Sequence, residues 1–208
     1  MTTLITRLSL IALTIRGLLI SFMAREKTTS ENDMPLVYHG SVSVAEHKAA
    51  APAHVRVFWI TVSDTRTPQT DTGGQKGREL LEAGGHTVAG YRIVPDEASV
   101  VSRLVRTVAR DEVADVLITS GGTGITSRDA TYEAIADLLD KRIDGFGEIF
   151  RALSFHEIGA AAMMSRAVAG LHGKLVVFSI PGSTAAVRLA MEKLIIPELG
   201  HVVREARR

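Results

Sequence analysis

From His54 onward the chain alternates short, continuously apolar runs with segments of helical period. No other feature limits the available folds as much. Val55–Thr61 (VRVFWIT) is β-branched and aromatic and stops at Ser63-Asp64, which predicts a buried strand. Thr87–Val94, Val116–Thr119, Ala167–Gly170 and Leu175–Ile180 predict four more, the last two flanking a turn at His172-Gly173. Helices are predicted over Gly73–Ala83, which Gly84-Gly85 stops, and over Glu97–Arg110, where Val100, Val101, Leu104, Val105 and Val108 share one face. Ala130–Leu139 and Glu148–Ala162 predict two further helices. Ser183–Val203 predicts the last, N-capped by Ser183 and kinked or shortened by Pro197. Continuous apolar strands separated by helices predict an α/β fold: three layers, α/β/α, with a mainly parallel sheet.

Composition excludes several function classes. The 208 residues carry 24 basic and 23 acidic side chains, a formal net charge of +1, so no general field holds nucleic acid or an anionic membrane. Any anion must be bound by local geometry. The absence of cysteine removes disulfides, thiolate metal sites and thiol catalysis together. The seven His show no spacing such as HExxH.

Residues 1–53 read as an N-terminal extension, and 54–208 as the domain. Leu8–Met23 (LSLIALTIRGLLISFM) is apolar but short for a membrane span, with Arg16 in its middle. Three readings stand side by side: a weak signal or anchor, a packing segment, or a start assigned too far upstream, with Met23 and Met34 as alternatives. Residues 24–53 are polar and Ala-rich and read as linker.

Three strands end in small polar loops that open into helices: Thr61–Arg66, Thr119–Gly124 and Ile180–Thr184. Ligands of open α/β sheets bind outside the carboxyl ends of strands, so three such loops on one edge predict one cleft. In Ser120-Gly121-Gly122-Thr123-Gly124 the glycines free the backbone to approach an anion, while Ser120 and Thr123 add hydroxyls. A tight strand–helix turn explains the same glycines. The loop matches neither GxxxxGK[ST] nor GxGxxG. Asp129 and Asp96 each read as a helix N-cap or as a carboxylate beside a phosphate site, where Mg²⁺ would reconcile the charges. Asp64 and Asp71 read as surface turn residues. Gly145-Phe146-Gly147-Glu148 reads as an interhelical loop with Phe146 inward, or as a segment presenting Glu148 to the cleft. Pro181-Gly182-Ser183 is a capped helix start or an anion contact.

These motifs, with Asp71-Thr72-Gly73, Pro95-Asp96-Glu97, Arg128-Asp129 and Ser165-Arg166, follow the order seen in the MoaB/MogA family over roughly residues 54–203. Gly145–Gly159 and Ser165–Gly170 resemble the MoaB branch. The resemblance implies a three-layer molybdopterin-binding fold in a cytoplasmic molybdenum-cofactor biosynthesis protein. It implies homotrimers or homohexamers, with other enzymes of the pathway as further partners and with no nucleic-acid or membrane partner. Active members transfer AMP from Mg-ATP to the terminal phosphate of molybdopterin and release pyrophosphate. Their two essential aspartates correspond to Asp96 and Asp129, here also the expected Mg²⁺ ligands. The implied substrate contacts are Ser63, Asp64, Ser120, Gly121, Gly122, Thr123, Gly124, Glu148, Pro181, Gly182 and Ser183. The alternative is a non-catalytic molybdopterin-binding or carrier protein. Two departures stand out. Ser120 replaces the more frequent Thr, and Pro181-Gly182-Ser183-Thr184 lacks the second proline common after this glycine, which leaves that helix entry less rigid.

Overall fold

The computed structural model describes residues 48–208. The Leu8–Met23 segment and the linker up to residue 47 lie outside the described residues. Six strands form one sheet: β1 (Arg56–Val62), β2 (Thr87–Val94), β3 (Val116–Ser120), β4 (Lys141–Arg142), β5 (Val168–His172) and β6 (Leu175–Ile180). Their order is β2-β1-β3-β6-β5-β4. The four strands from β2 to β6 run parallel, and β5 and β4 complete the edge antiparallel. The α/β reading therefore holds, and the antiparallel edge follows from the tight turn at Gly173, whose φ of 59° closes the β5–β6 hairpin.

The helices are α1 (Thr72–Ala83), α2 (Ala98–Arg110), α3 (Thr131–Ala136), α4 (Asp144–Ile158), α5 (Thr184–Ala190) and α6 (Ile196–Ala206). Each strand side chain alternates between two cores. Val57, Trp59, Ile118, Val176 and Phe178 meet α1, α4, α5 and α6 on one face. Phe58, Ile60, Leu117 and Val177 meet α2 and α3 on the other, where Val101, Val105 and Val108 form the buried stripe of α2. Burial of both faces explains why these strands are continuously apolar rather than alternating.

The differences from the expected elements have local causes. Residues 144–147 open α4 instead of preceding it, because Gly147 lies against β5: a Cβ there would sit 2.5 Å from the Ala167 carbonyl oxygen. Phe146 is buried, as expected, edge-on to Phe178 at 5.1 Å. Helix α3 spans only six residues, since the Asp140 amide donates to Leu171 O and draws the chain into β4. A 3-10 segment, Gly159–Met164, follows α4 after the break at Gly159, φ 61°. The C-terminal helix is divided by a π-turn at Met191–Ile195, ahead of Pro197 in the first turn of α6. Ordered packing begins before His54. A Cβ at Gly200 would clash with Pro52 O, and Lys48 pairs with Glu198.

Candidate active site

The glycine loop begins where β3 ends. The Gly121 amide donates to Ile180 O at 3.0 Å, which joins the β3 and β6 ends. Gly121 has φ 104° and Gly122 φ 64°, a conformation that side chains resist. A Cβ at Gly121 would also overlap the Val62 carbonyl oxygen, so this position is held by the end of β1 as well. A Cβ at Gly182 would lie 3.0 Å from Gly121 Cα, so the second and third loops touch. Gly121, Gly122, Thr123, Gly124, Asp129, Pro181 and Gly182 border one cavity of about 280 Å³, with Ala161, Met164 and Ser165 also in its lining.

The two aspartates have different places. Asp129 borders that cavity. It does not cap α3, whose N-cap is Ala130. Its Oδ2 accepts from the Thr126 amide at 3.0 Å and from Thr126 Oγ1 at 2.5 Å. The Thr126 hydroxyl foremost, with the Thr126 and Gly124 amides and the charge of Arg166, holds the Asp129 carboxyl below the usual carboxylate range. It is therefore an anion at neutral pH, with Gly124 packed so closely that a Cβ would sit 2.5 Å away.

Asp96 lies beneath the loop, only 8% exposed. It does not cap α2, whose N-cap is Glu97 without a side-chain bond. Its Oδ1 accepts from Thr131 Oγ1 at 2.8 Å and from the Ala130 amide at 3.2 Å, so Asp96 caps α3 from another part of the chain. A Cβ at Gly122 would come 2.6 Å from its Oδ2. The two expected N-caps thus fail locally, and one of them reappears across the loop.

The first loop supports the second from outside the cavity. Ser63 Oγ accepts from the Arg66 amide at 3.1 Å and from the Thr65 amide at 3.3 Å, forming a turn. Asp64 accepts from the Asp96 amide at 3.2 Å and pairs with Arg128 at 2.8 Å. The Arg128 guanidinium holds its carboxyl below the usual range. Asp71 is corrected: it is 2% exposed, not a surface turn residue. It caps α1 through the Gly74 amide at 3.0 Å and accepts from Thr61 Oγ1 at 2.6 Å and Tyr91 OH at 2.7 Å. Burial, and then this bond, push the Tyr91 phenol up to about 12. The network fixes α1 beside the third loop, where Thr72 Oγ1 lies 2.9 Å from Thr184 Oγ1.

Ser183 is exposed and caps α5 through the Ala186 amide at 3.2 Å. Ser120 is 1% exposed and lies behind the loop, its Oγ unpartnered within the described residues. Glu148 is exposed in a separate cavity of about 170 Å³, shared with Tyr132, Arg142 and Arg151. The glycine-loop cavity does not include it.

Arg166 was noted in sequence only as part of a motif, and its role is structural. Its Nε donates to Thr123 O at 2.9 Å, and its Nη2 donates to Gly124 O. Its Nη1 pairs with Glu133, and its guanidinium lies 4.6 Å over the Tyr132 ring. In a planar trans peptide the C=O and the next N–H point opposite ways. Holding the Thr123 and Gly124 carbonyls on Arg166 therefore turns the Gly124 amide, which serves Asp129, and the Ile125 amide away from it. Such amides are suited to an anion.

Asp129 on the cavity wall is a carboxylate of the kind that Mg²⁺ takes, one or two at a time, alongside phosphate oxygens. Among the described residues, no three His, Asp or Glu side chains form a metal cluster without such phosphates.

The match to known proteins agrees with this geometry. Residues 58–201 match the family described as "Probable molybdopterin binding domain". The chain is 54% identical over 168 residues to molybdenum cofactor biosynthesis protein B of Bacillus cereus, covering 80% of this chain and 99% of that protein. The Bacillus subtilis protein of the same name is 55% identical with the same coverage. A crystal structure of molybdenum cofactor biosynthesis protein B, 53% identical, superposes with a TM-score of 0.73 over 76% of this chain and 99% of its own. The tungsten cofactor synthesizing protein MoaB of Pyrococcus furiosus, 41% identical, gives 0.67 over 76% and 100%. With fold, loop and motif order in agreement, the chain belongs to the MoaB/MogA family of molybdenum cofactor biosynthesis proteins, on its MoaB branch.

Proposed function

We propose that the glycine-loop cleft adenylylates molybdopterin: a terminal phosphate oxygen of the pterin attacks the α-phosphorus of ATP, and the bond to the bridging oxygen breaks to release pyrophosphate. The observation that carries this reading is Asp129, an anionic carboxylate on the wall of a cavity whose other side is glycine backbone. A phosphate is already a nucleophile, so no strong general base is required, and positioning supplies most of the rate. The loop amides stabilise charge on the phosphoryl oxygens. Bound Mg²⁺ would neutralise the nucleotide phosphates. Asp129 would hold it, and Asp96 would act by keeping Gly122 and α3 in register. The test is incubation of the purified protein with molybdopterin and Mg-ATP. Stoichiometric adenylyl-molybdopterin and pyrophosphate are expected; neither forms if the reading is wrong.

A second reading is a molybdopterin carrier without turnover. It is favoured by Asp96, which is buried and engaged within the protein rather than at the cavity. That reading expects pterin binding indifferent to ATP.

The assembly we propose is a homotrimer or homohexamer, in the cytoplasm beside other enzymes of the pathway. Ile149, Phe155, Ile158, Met163 and Met164 are each more than half exposed along α4 and the 3-10 segment. Such a patch calls for a partner surface, and a second copy of this chain is the one proposed. Phe155→Lys with Met163→Lys should give a monomer by light scattering.

A further inference from the structure

A cavity of about 770 Å³ lies away from the glycine loop. It lies at the opposite edge of the sheet, where the parallel strands begin. Arg56 starts β1, Asp115 precedes β3, and the His172–Leu175 turn joins β5 to β6. The end of α2 and Arg207, just past α6, complete the walls. Its volume falls within the range typical of small-molecule sites, roughly 300–1,000 Å³.

The charges are unevenly matched. Arg56, Arg106, Arg110, Lys174 and Arg207 line it with Glu112, Asp115 and Asp140, and Arg110 is paired with Asp111 at 2.7 Å. Arg56 and Arg207 converge on one oxygen, Asp115 Oδ1, each at 2.8 Å. Burial pushes the Asp115 carboxyl up, but the Arg56 hydrogen bonds and the charges of both guanidinia outweigh it and hold it below the usual range. The Glu112 charge also acts on Arg56, so the cations left unmatched are those beyond this triad. Arg106 and Lys174, on separate walls, have no hydrogen bond or ion pair among the described residues. In a chain of net charge +1 this is a local concentration of cations. Ala109, Ala114 and Leu175 give the cavity an apolar side.

We propose that this cavity binds a phosphorylated organic anion of nucleotide size, with its phosphates between Arg106, Lys174 and Arg207 and its organic part against Ala109, Ala114 and Leu175. The site is separate from the cleft and does not rest on the adenylylation reading. Guanidinium and ammonium groups on facing walls suit a multiply charged phosphate.

The experiment is an amide-resolved NMR titration of the full chain with ADP, without divalent metal and at low salt. Saturable shifts are expected at Ala114, Gly173 and Lys174, separate from any shifts at Gly121–Gly124. Arg106→Glu with Lys174→Glu should weaken the first set by roughly tenfold or more and leave the second unchanged. If the double variant does not fold, Lys174→Gln, in an exposed turn, should weaken it severalfold. Pyrophosphate should bind more weakly than ADP for lack of the organic part. The absence of saturable shifts at these amides, shifts indifferent to both substitutions, or equal binding of pyrophosphate would each overturn the proposal.

Discussion

The two edges of the sheet are built by different means. At the carboxyl edge the loop is main chain, shaped by glycines at φ 104° and 64° and held by buried or half-buried side chains. At the amino edge the cavity is lined by long, exposed cations carried by β1, α2, the β5–β6 turn and the residue after α6. The first edge is expensive to alter and the second is tolerant. A site built from backbone depends on everything that fixes the backbone, whereas a site built from surface side chains can change one group at a time.

The largest expected effect is at Gly121. Gly121→Ala combines positive φ with overlap of Val62 O, so it should cost about 2–4 kcal/mol in chemical denaturation. Lys174→Ala at the other edge should stay within about 0.5 kcal/mol. Equal costs would break the contrast.

Next comes Asp96→Ala, which leaves the Thr131 hydroxyl and the Ala130 amide without their acceptor and should cost about 1–3 kcal/mol. Thermal unfolding checks it. Arg166→Lys keeps the charge but cannot hold two carbonyls as a fork. Its expected stability loss is about 1 kcal/mol. Faster exchange should appear at the Gly124 and Ile125 amides, and pterin binding should weaken. Unchanged exchange would remove Arg166 from the account of the loop.

The smallest effect is in pH. Asp129 has a depressed folded value, so its contribution is fully present above the unfolded carboxyl's pKa and is lost as pH falls through the folded one. Glu133, lowered chiefly by its bond from Arg166, behaves the same way. Protection of the Thr126 amide, measured against its intrinsic exchange rate, should therefore hold from neutral pH to the ordinary carboxylate range and fall only below it. Loss of protection already near neutral pH would contradict this.

The alternation of apolar runs was enough to read the layers and the parallel sheet, because both faces of the strands are buried. Strand β4 was invisible: Lys141-Arg142 is exposed and owes its pairing to β5 alone. The glycine loop and Asp129 were legible as a candidate site, and they do border one cavity, because glycine clusters and acidic residues at strand ends carry their own chemistry. Asp96 was legible as a residue of interest, but not in its role. Its partners lie 34 and 35 positions away, beyond any capping pattern. Asp71 was misread as a surface residue for the same reason, since Tyr91 reaches it from the next strand. Arg166 contacts the loop from 42 and 43 positions downstream, and no spacing rule carries that distance. Glu148 faces a different cavity because Gly147 seats the start of α4 on β5, a packing that only the assembled sheet defines.

On the proposed reading Asp129 serves turnover while Asp96 serves the architecture of the loop. Asp129→Asn tests it most directly, with molybdopterin affinity, thermal stability and AMP transfer measured on one preparation. Affinity within about twofold of wild type, a small change in melting temperature, and AMP transfer reduced by at least roughly a hundredfold are expected. Transfer at the wild-type rate in Asp129→Asn would contradict it.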